Sequence, residues 1–156
     1  MFLSHYACAT ADTWASEVGI LSTQKPRLVV SAFFREVPPG TNGGVTVLGL
    51  FFSLLGGIFV GVCYYCLSGF KSSEVPLIIV SGISGLLGSF IDSILGGALQ
   101  QTYYSTNRLC IVQGLDMADK SIIKICGTDI LSNDSVNVLS ILLTMIISVF
   151  IIPIIA

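Results

Sequence analysis

Residues 75–99 read VPLIIVSGISGLLGSFIDSILGGAL, an apolar run whose single charge is Asp92. As a helix rising 1.5 Å per residue this run extends about 37 Å, enough to cross a hydrocarbon layer of about 30 Å. An ionisable group at that depth costs at least about 2.5–3.5 kcal/mol on insertion scales, so by default it marks a functional site. Outward from this run lie two more apolar stretches, residues 45–67 and 138–156, neither with a charged residue. Residues 1–21 read as a helix of mixed character bearing Asp12 and Glu17. The expectation is therefore an all-α polytopic membrane helix bundle, with three transmembrane helices at about 45–67, 75–99 and 138–156 and an N-terminal helix. Together, residues 1–156 make one membrane domain in contact with the lipid bilayer, with polar segments at 22–44 and 100–137. At 38 residues the second is longer than a connection requires, which predicts a functional or partly disordered loop.

Composition agrees. Hydrophobic residues make up 53% of the chain and charged residues 10%, against roughly 25% charged in soluble domains. So few charges could not cover a soluble fold, and a net charge of −2 gives no footing for nucleic acid. Cys63 and Cys66 form a C-x-x-C, but Tyr64 and Tyr65 lie between them inside an apolar run. A redox dithiol needs a solvent-facing helix N-terminus after a strand, so these read as ordinary small membrane-helix residues. With His5 the sole histidine, no Cys/His metal set can be assembled.

Lys25, Arg27 and Arg35 precede the first span, and Arg108, Lys120 and Lys124 follow the second; the turn between the spans has only Lys71. The positive-inside rule then puts both polar segments on the cytoplasmic side, facing one water compartment. On that side the Asn133-Asp134-Ser135 sequon would not meet the glycosylation machinery.

Small residues recur at helical spacing. Gly49, Ser53, Gly57 and Gly61 stripe the first span; Ser81, Gly85, Ser89, Ser93 and Gly97 stripe the second. Such stripes let helices approach closely in lipid. Asp92 sits among them, one turn from Gly88 and Gly96, and so points at a neighbouring helix or an internal cavity.

Three polar clusters could carry chemistry. In the first, Asp12 and Ser16 share a helix face, as do Thr13 and Glu17. Carboxylates with hydroxyls suit a hard cation such as Mg²⁺; equally, acidic residues at a helix start would answer its positive dipole end. The second, Pro38-Pro39-Gly40-Thr41-Asn42-Gly43-Gly44, opens the first span and could offer backbone N–H groups to an anion, or be a plain turn. Arg27 and Arg35 nearby would pair with phosphate oxygens. The third joins Gly88–Gly96, including Asp92 and Ser93, with Asn133 and Asn137 at the mouth of the last span.

On these residues the chain resembles the transmembrane protein 19 family, which belongs to the integral membrane proteins of domain of unknown function 92. The resemblance is carried by Asp12-Thr13-Trp14-Ala15-Ser16-Glu17, Pro38–Val45, Gly88-Ser89 with Asp92-Ser93 and Leu95-Gly96, and Ile130-Leu131 with Asn133 and Val136-Asn137. It runs in order from about Tyr6 to the C-terminus and corresponds to the C-terminal half of a full-length member. The relatives include a phytyl-phosphate kinase and, more distantly, membrane kinases that use CTP. The resemblance thus implies a nucleotide (CTP)-dependent kinase of an isoprenoid alcohol or isoprenoid monophosphate, placed in an endomembrane such as the endoplasmic reticulum. It implies Mg²⁺ on Asp12, Glu17 and Asp92, nucleotide phosphates at Gly40–Gly44, charge neutralisation by Arg27 or Arg35, and an isoprenoid tail in the small-residue groove. Two departures are Ala11, where relatives commonly have Gly, and Arg35-Glu36, where they tend to be basic. The alternative is a non-enzymatic membrane protein, a small transporter or assembly subunit, with Asp92 as an intramembrane relay or a packing residue.

Overall fold

The structure, a computed structural model, describes residues 1–112 and 120–155. Part of the second polar segment, residues 113–119, and the last residue of the third predicted span lie outside the described residues. Four helices dominate: α1 (Phe2–Gly19), α2 (Val47–Leu67), α3 (Val75–Leu99) and α4 (Asn133–Ile155). Three are long and apolar enough to cross a membrane, over Val47–Leu67, Ser72–Leu99 and Asn133–Pro153.

Local signals set these boundaries. The Thr46 hydroxyl accepts the Gly49 N–H at 2.9 Å, which caps α2. Gly69, at φ +80°, takes the left-handed conformation that turns the chain after α2. A 3₁₀ turn at Ser72–Glu74 then leads into α3, whose first turn holds Pro76. The third span starts five residues earlier than its apolar run. The Ser132 hydroxyl accepts the Ser135 N–H at 3.2 Å and the Ser132 carbonyl accepts the Val136 N–H at 3.1 Å, so helix begins at Asn133. Hydropathy marks where lipid contact begins, whereas the cap marks where the helix begins.

The small-residue stripes are packing surfaces. A Cβ on Gly57 would lie 2.5 Å from the Ser81 carbonyl oxygen, and one on Gly61 would lie 2.7 Å from Ile78 Cα. The Ser81 hydroxyl donates to the Gly57 carbonyl at 2.8 Å across the same seam. Into the groove between α2 and α3 goes α1, with Ala7, Cys8 and Ala11 fully buried. A Cβ on Gly56 would stand 3.0 Å from Ala11 Cα, and one on Gly85 3.0 Å from Ala11 Cβ. This corrects the expectation that the groove admits an isoprenoid tail: backbone fills it. α4 closes the bundle through Thr144, beside Cys8, and Ser140, beside Asp92.

The bundle interior is made of small residues. Ser53, Ser81, Ser84, Ser140, Thr144 and Ser148 are buried, while Phe51, Phe59, Ile79, Leu142, Ile146 and Phe150 are exposed on the outside. That inversion of the soluble pattern fits a protein surrounded by lipid. Several buried hydroxyls donate to carbonyls of their own helix, as from Ser53 to Leu50, Thr144 to Ser140 and Ser148 to Met145.

These contacts fix directions. Gly57 meets Ser81 while Gly61 meets Ile78, so α2 and α3 are antiparallel; Thr144 meets Gly88 while Ser140 meets Asp92, so α3 and α4 are too. Gly19 meets Gly49 while Ala11 meets Gly56, so α1 runs against α2. The starts of α2 and α4 and the ends of α1 and α3 therefore share one end of the bundle.

Both polar segments sit at that end. Strands β1 (Arg27–Leu28) and β2 (Gly44–Val45) pair antiparallel. The 100–137 segment is less loop-like than its polarity predicts. Its described residues include β3 (Thr102–Ser105), β4 (Cys110–Val112) and β5 (Ile122–Cys126), an antiparallel sheet of order β4-β3-β5. Tyr103, Tyr104, Ile111, Val112, Ile122, Ile123 and Ile125 supply the aromatic and β-branched side chains that favour strands. The sheet is tied to α3: Thr128 N–H donates to Ala98 O at 3.0 Å, and the N–H groups of Ile130 and Leu131 both donate to Leu99 O at 3.1 Å.

Candidate functional site

At the polar end α1, α3, α4 and the 39–46 loop enclose a cleft of about 400 Å³, within the usual range of small-molecule sites. Of the residues singled out from sequence, Asp12, Ser16, Glu17, Gly40, Thr41, Asn42, Gly43, Gly44, Asp92, Ser93, Asn133 and Asn137 all line it. Four separate stretches of chain thus converge.

The two half-buried carboxylates form its floor. The Ser89 hydroxyl donates to Asp12 Oδ1 at 3.2 Å, and the Ser140 hydroxyl donates to Asp92 Oδ2 at 3.0 Å. Ser89 and Asp92 are one turn apart on α3, so the two acidic groups occupy neighbouring levels, and Asp12 feels the charge of Asp92. A cation between two neighbouring carboxylates would stabilise the charge of both. Asp12 and Glu17 lie in the middle and last turn of α1, whose first turn has no acidic residue. That excludes the reading of this cluster as a helix start. Glu17 is exposed on the rim, and among the described residues no three His, Cys, Asp or Glu side chains gather as one metal-holding group. The acidic set expected from the resemblance is thus a pair, Asp12 and Asp92, with Glu17 at the edge.

The glycine-rich loop is pressed against α3. Gly43 has φ +74°, and a Cβ there would lie 2.5 Å from Gly97 Cα and 2.6 Å from the Ser93 carbonyl oxygen, so a side chain cannot enter. Its N–H groups are largely engaged within the protein. Thr41 N–H donates to Pro38 O at 3.3 Å, Gly44 N–H to Thr41 O at 2.9 Å, and Asn42 N–H to Thr102 Oγ1 at 3.3 Å. The loop lines the cleft without offering the run of backbone donors that its sequence suggested.

Arg27 and Arg35 are not among the cleft-lining residues. Strand alternation in β1 buries Leu28 and exposes Arg27, while Arg35 Nη2 reaches the Ile125 carbonyl at 3.0 Å. No Lys or Arg lines the cleft among the described residues. Its charge bias comes from the carboxylates and the helix ends. α2 and α4 begin there and α1 and α3 end there, so the first pair favours anions and the second, with the carboxylates, favours cations.

Sequence reasoning missed Ser89 and Ser140 as the partners of the carboxylates. Ser89 had a signal, three residues before Asp92. Ser140 had none, because its role depends on how α4 packs. Outside the cleft, the Cys126 thiol donates to the Asn42 carbonyl at 3.5 Å, and burial pushes its pKa above the ordinary thiol value.

The profile of the integral membrane protein DUF92 family matches residues 1–145. The chain belongs to this family. It is a multi-pass membrane protein by the same evidence and by its three long apolar helices. It is 41% identical over 150 residues to Protein PGR of Arabidopsis thaliana, covering 91% of this chain and 50% of that protein. It is 34% identical over 100 residues to an uncharacterised membrane protein of Methanocaldococcus jannaschii, covering 64% of this chain and 40% of that protein. The chain therefore spans about half the length, or less, of the curated relatives it matches. No solved structure matches it.

Proposed function

We propose that this DUF92 chain carries the polar site of a nucleotide-dependent phosphotransferase, using CTP or a similar nucleotide, that acts on an isoprenoid alcohol or isoprenoid monophosphate in an endomembrane such as the endoplasmic reticulum. The observation that carries the reading is the convergence of Asp12 and Asp92 with the starts of α2 and α4 on one cleft. A cation side and an anion side within one site suit a metal-bound polyphosphate.

The donor set fits Mg²⁺, which is commonly held by one or two carboxylates and shares its other positions with water and substrate phosphates. Asp12 and Asp92 would hold it, and when bound it would neutralise phosphate charge, the main requirement of phosphoryl transfer. The residues of the chain do the rest. Ser89 and Ser140 fix the carboxylate orientations. Asn133 and Asn137, in the first turns of α4, offer amide donors to phosphate oxygens. The lack of Lys and Arg among the described lining residues makes the cleft unsuited to a free phosphate and suited to a metal-bound one. With the α2–α3 groove filled by α1, an isoprenoid substrate would keep its tail in surrounding lipid and present only its head to the cleft.

The test is transfer of labelled phosphate from CTP to phytyl or farnesyl phosphate by the full-length protein in detergent. Asp12→Asn and Asp92→Asn are each expected to abolish it. Undiminished transfer by both variants would remove the pair from catalysis. Asp92-dependent ion flux across vesicles without any transfer would favour the relay alternative.

A further inference from the structure

Between β1 and the glycine-rich loop, the chain makes a turn over residues 31–34 that serves no part of the cleft. Phe33 is 96% exposed and Phe34 52%, and both hold left-handed backbone, at φ +67° and +47°. That conformation costs a residue with a side chain roughly 1–2 kcal/mol. The turn is nevertheless firmly built. Ser31 Oγ donates to Leu28 O at 3.0 Å and accepts the Arg35 N–H at 2.8 Å, and Phe34 N–H donates to Ser31 O at 3.2 Å. The hydrogen-bonded turn thus holds the Phe33 ring clear of the protein, with the half-exposed Phe34 beside it.

Its height is fixed by α3. Val30 and Leu28 pack on Gly97, where an added Cβ would meet Val30 Cγ2 at 3.0 Å and Leu28 Cδ1 at 3.4 Å. About 20 residues of helix cross the hydrocarbon, so in the 25-residue α3 the last turn, with Gly97, falls near the hydrocarbon boundary. The flanks of the turn are basic. Residues 22–44 hold Lys25, Arg27 and Arg35 against the single carboxylate Glu36, and all four are exposed. Exposed apolar rings at the boundary, with Lys and Arg in the same segment, match the headgroup–acyl region of an anionic leaflet.

We infer that the 31–34 turn is an interfacial anchor, with Phe33 and Phe34 seated among the headgroups and upper acyl chains of the leaflet at the polar end, and Lys25 and Arg27 against anionic lipid phosphates. The anchor would hold the cleft-bearing loops at the lipid surface. The inference stands independently of any transferase activity, because it uses none of the cleft residues.

The test uses the whole chain, with Trp14→Phe removing the native tryptophan and Phe33→Trp as reporter, in vesicles of phosphatidylcholine alone or mixed with phosphatidylglycerol. Fluorescence of the Phe33→Trp reporter is expected to shift to the blue, to lose quenching by aqueous iodide, and to be quenched by phosphatidylcholine brominated high on its acyl chains. A matched Gln24→Trp reporter in the same segment should stay open to iodide and untouched by bromine. Bromine quenching of the Phe33→Trp reporter should increase with phosphatidylglycerol, and the increase should vanish when Lys25→Gln and Arg27→Gln are combined. Identical behaviour of the Phe33→Trp and Gln24→Trp reporters would overturn the anchor, and equal quenching in both lipids would overturn the role of the basic flank. Phe34→Trp provides a second reporter should the first variant fail to fold.

Discussion

Ser140 spans the gap between a packing helix and the candidate site, since its hydroxyl is the hydrogen-bond donor that α4 gives to Asp92. A hydrogen bond to a charged group contributes about 1.5–3 kcal/mol. On the proposed transferase reading, Ser140→Ala is therefore expected to cut phosphate transfer roughly tenfold or more, with Mg²⁺ half-saturation raised, and Asp92→Asn is expected to abolish transfer; a metal titration of the activity would separate the two. Asp92 was legible in the sequence because a charge inside an apolar run stands out. Ser140 was not, because serine in a membrane helix is commonplace and its partner is set only by the packing of α3 on α4. Cys126 gives a second test at this scale. Burial raises its pKa, so its thiolate fraction near neutrality is below that of an ordinary thiol. Its rate of reaction with a small maleimide should be slow at neutral pH and keep rising well into the alkaline range. A rate that levels off near neutrality would contradict this environment.

Among the elements, the spans were the easiest to read and the strands of the polar segments the hardest, while α1 was legible as a helix but not in its packing. α2 and α3 announce themselves by apolar length and by glycine and serine at every fourth position. The stripes say that something packs closely, without saying what. α1, rich in Ala, Thr and Ser, has too little hydropathy to declare itself part of the bundle, yet its Ala7, Cys8 and Ala11 fill the groove. The arginines were misplaced for a related reason: proximity in sequence to the glycine loop fixes neither the face of β1 that Arg27 takes nor the turn of Arg35 toward the Ile125 carbonyl. The packing account predicts an order of stabilities. Gly57→Ala, with its Cβ forced against the Ser81 carbonyl, and Gly88→Ala, forced against Cys8, should each cost about 1–3 kcal/mol through helix separation. Gly69→Ala meets no atom within 4 Å and should cost only the roughly 1–2 kcal/mol of its left-handed φ. Thermal unfolding in detergent reads the order, and a Gly69 variant weaker than both seam variants would refute close packing as the main hold on the bundle.

For the whole molecule, the bundle directions make a claim about sides that needs no knowledge of the reaction. The connection from α2 to α3 lies at one end, and both polar segments, with the cleft, lie at the other. A free, exposed cysteine stands at each: Cys66 in the last turn of α2, and Cys110 in β4. If α2 and α3 cross the bilayer, these thiols face opposite compartments. In sealed vesicles with one protein orientation, a membrane-impermeant maleimide added outside should label one of them and spare the other until detergent opens the vesicle. Cys8, buried between α1, α3 and α4, should stay unlabelled in both conditions while the bundle is folded. The positive-inside rule goes further and assigns the side. Lys25, Arg27, Arg35, Arg108, Lys120 and Lys124 crowd the cleft end, and Lys71 alone is at the other, so Cys110 should be the cytoplasmic thiol. Labelling both thiols from one side of a sealed vesicle would mean that the α2–α3 hairpin does not cross. Labelling Cys110 from the lumenal or external side would keep the bundle but turn the cleft away from the cytoplasmic nucleotide pool, and the phosphotransferase reading would then lose its supply of phosphate donor.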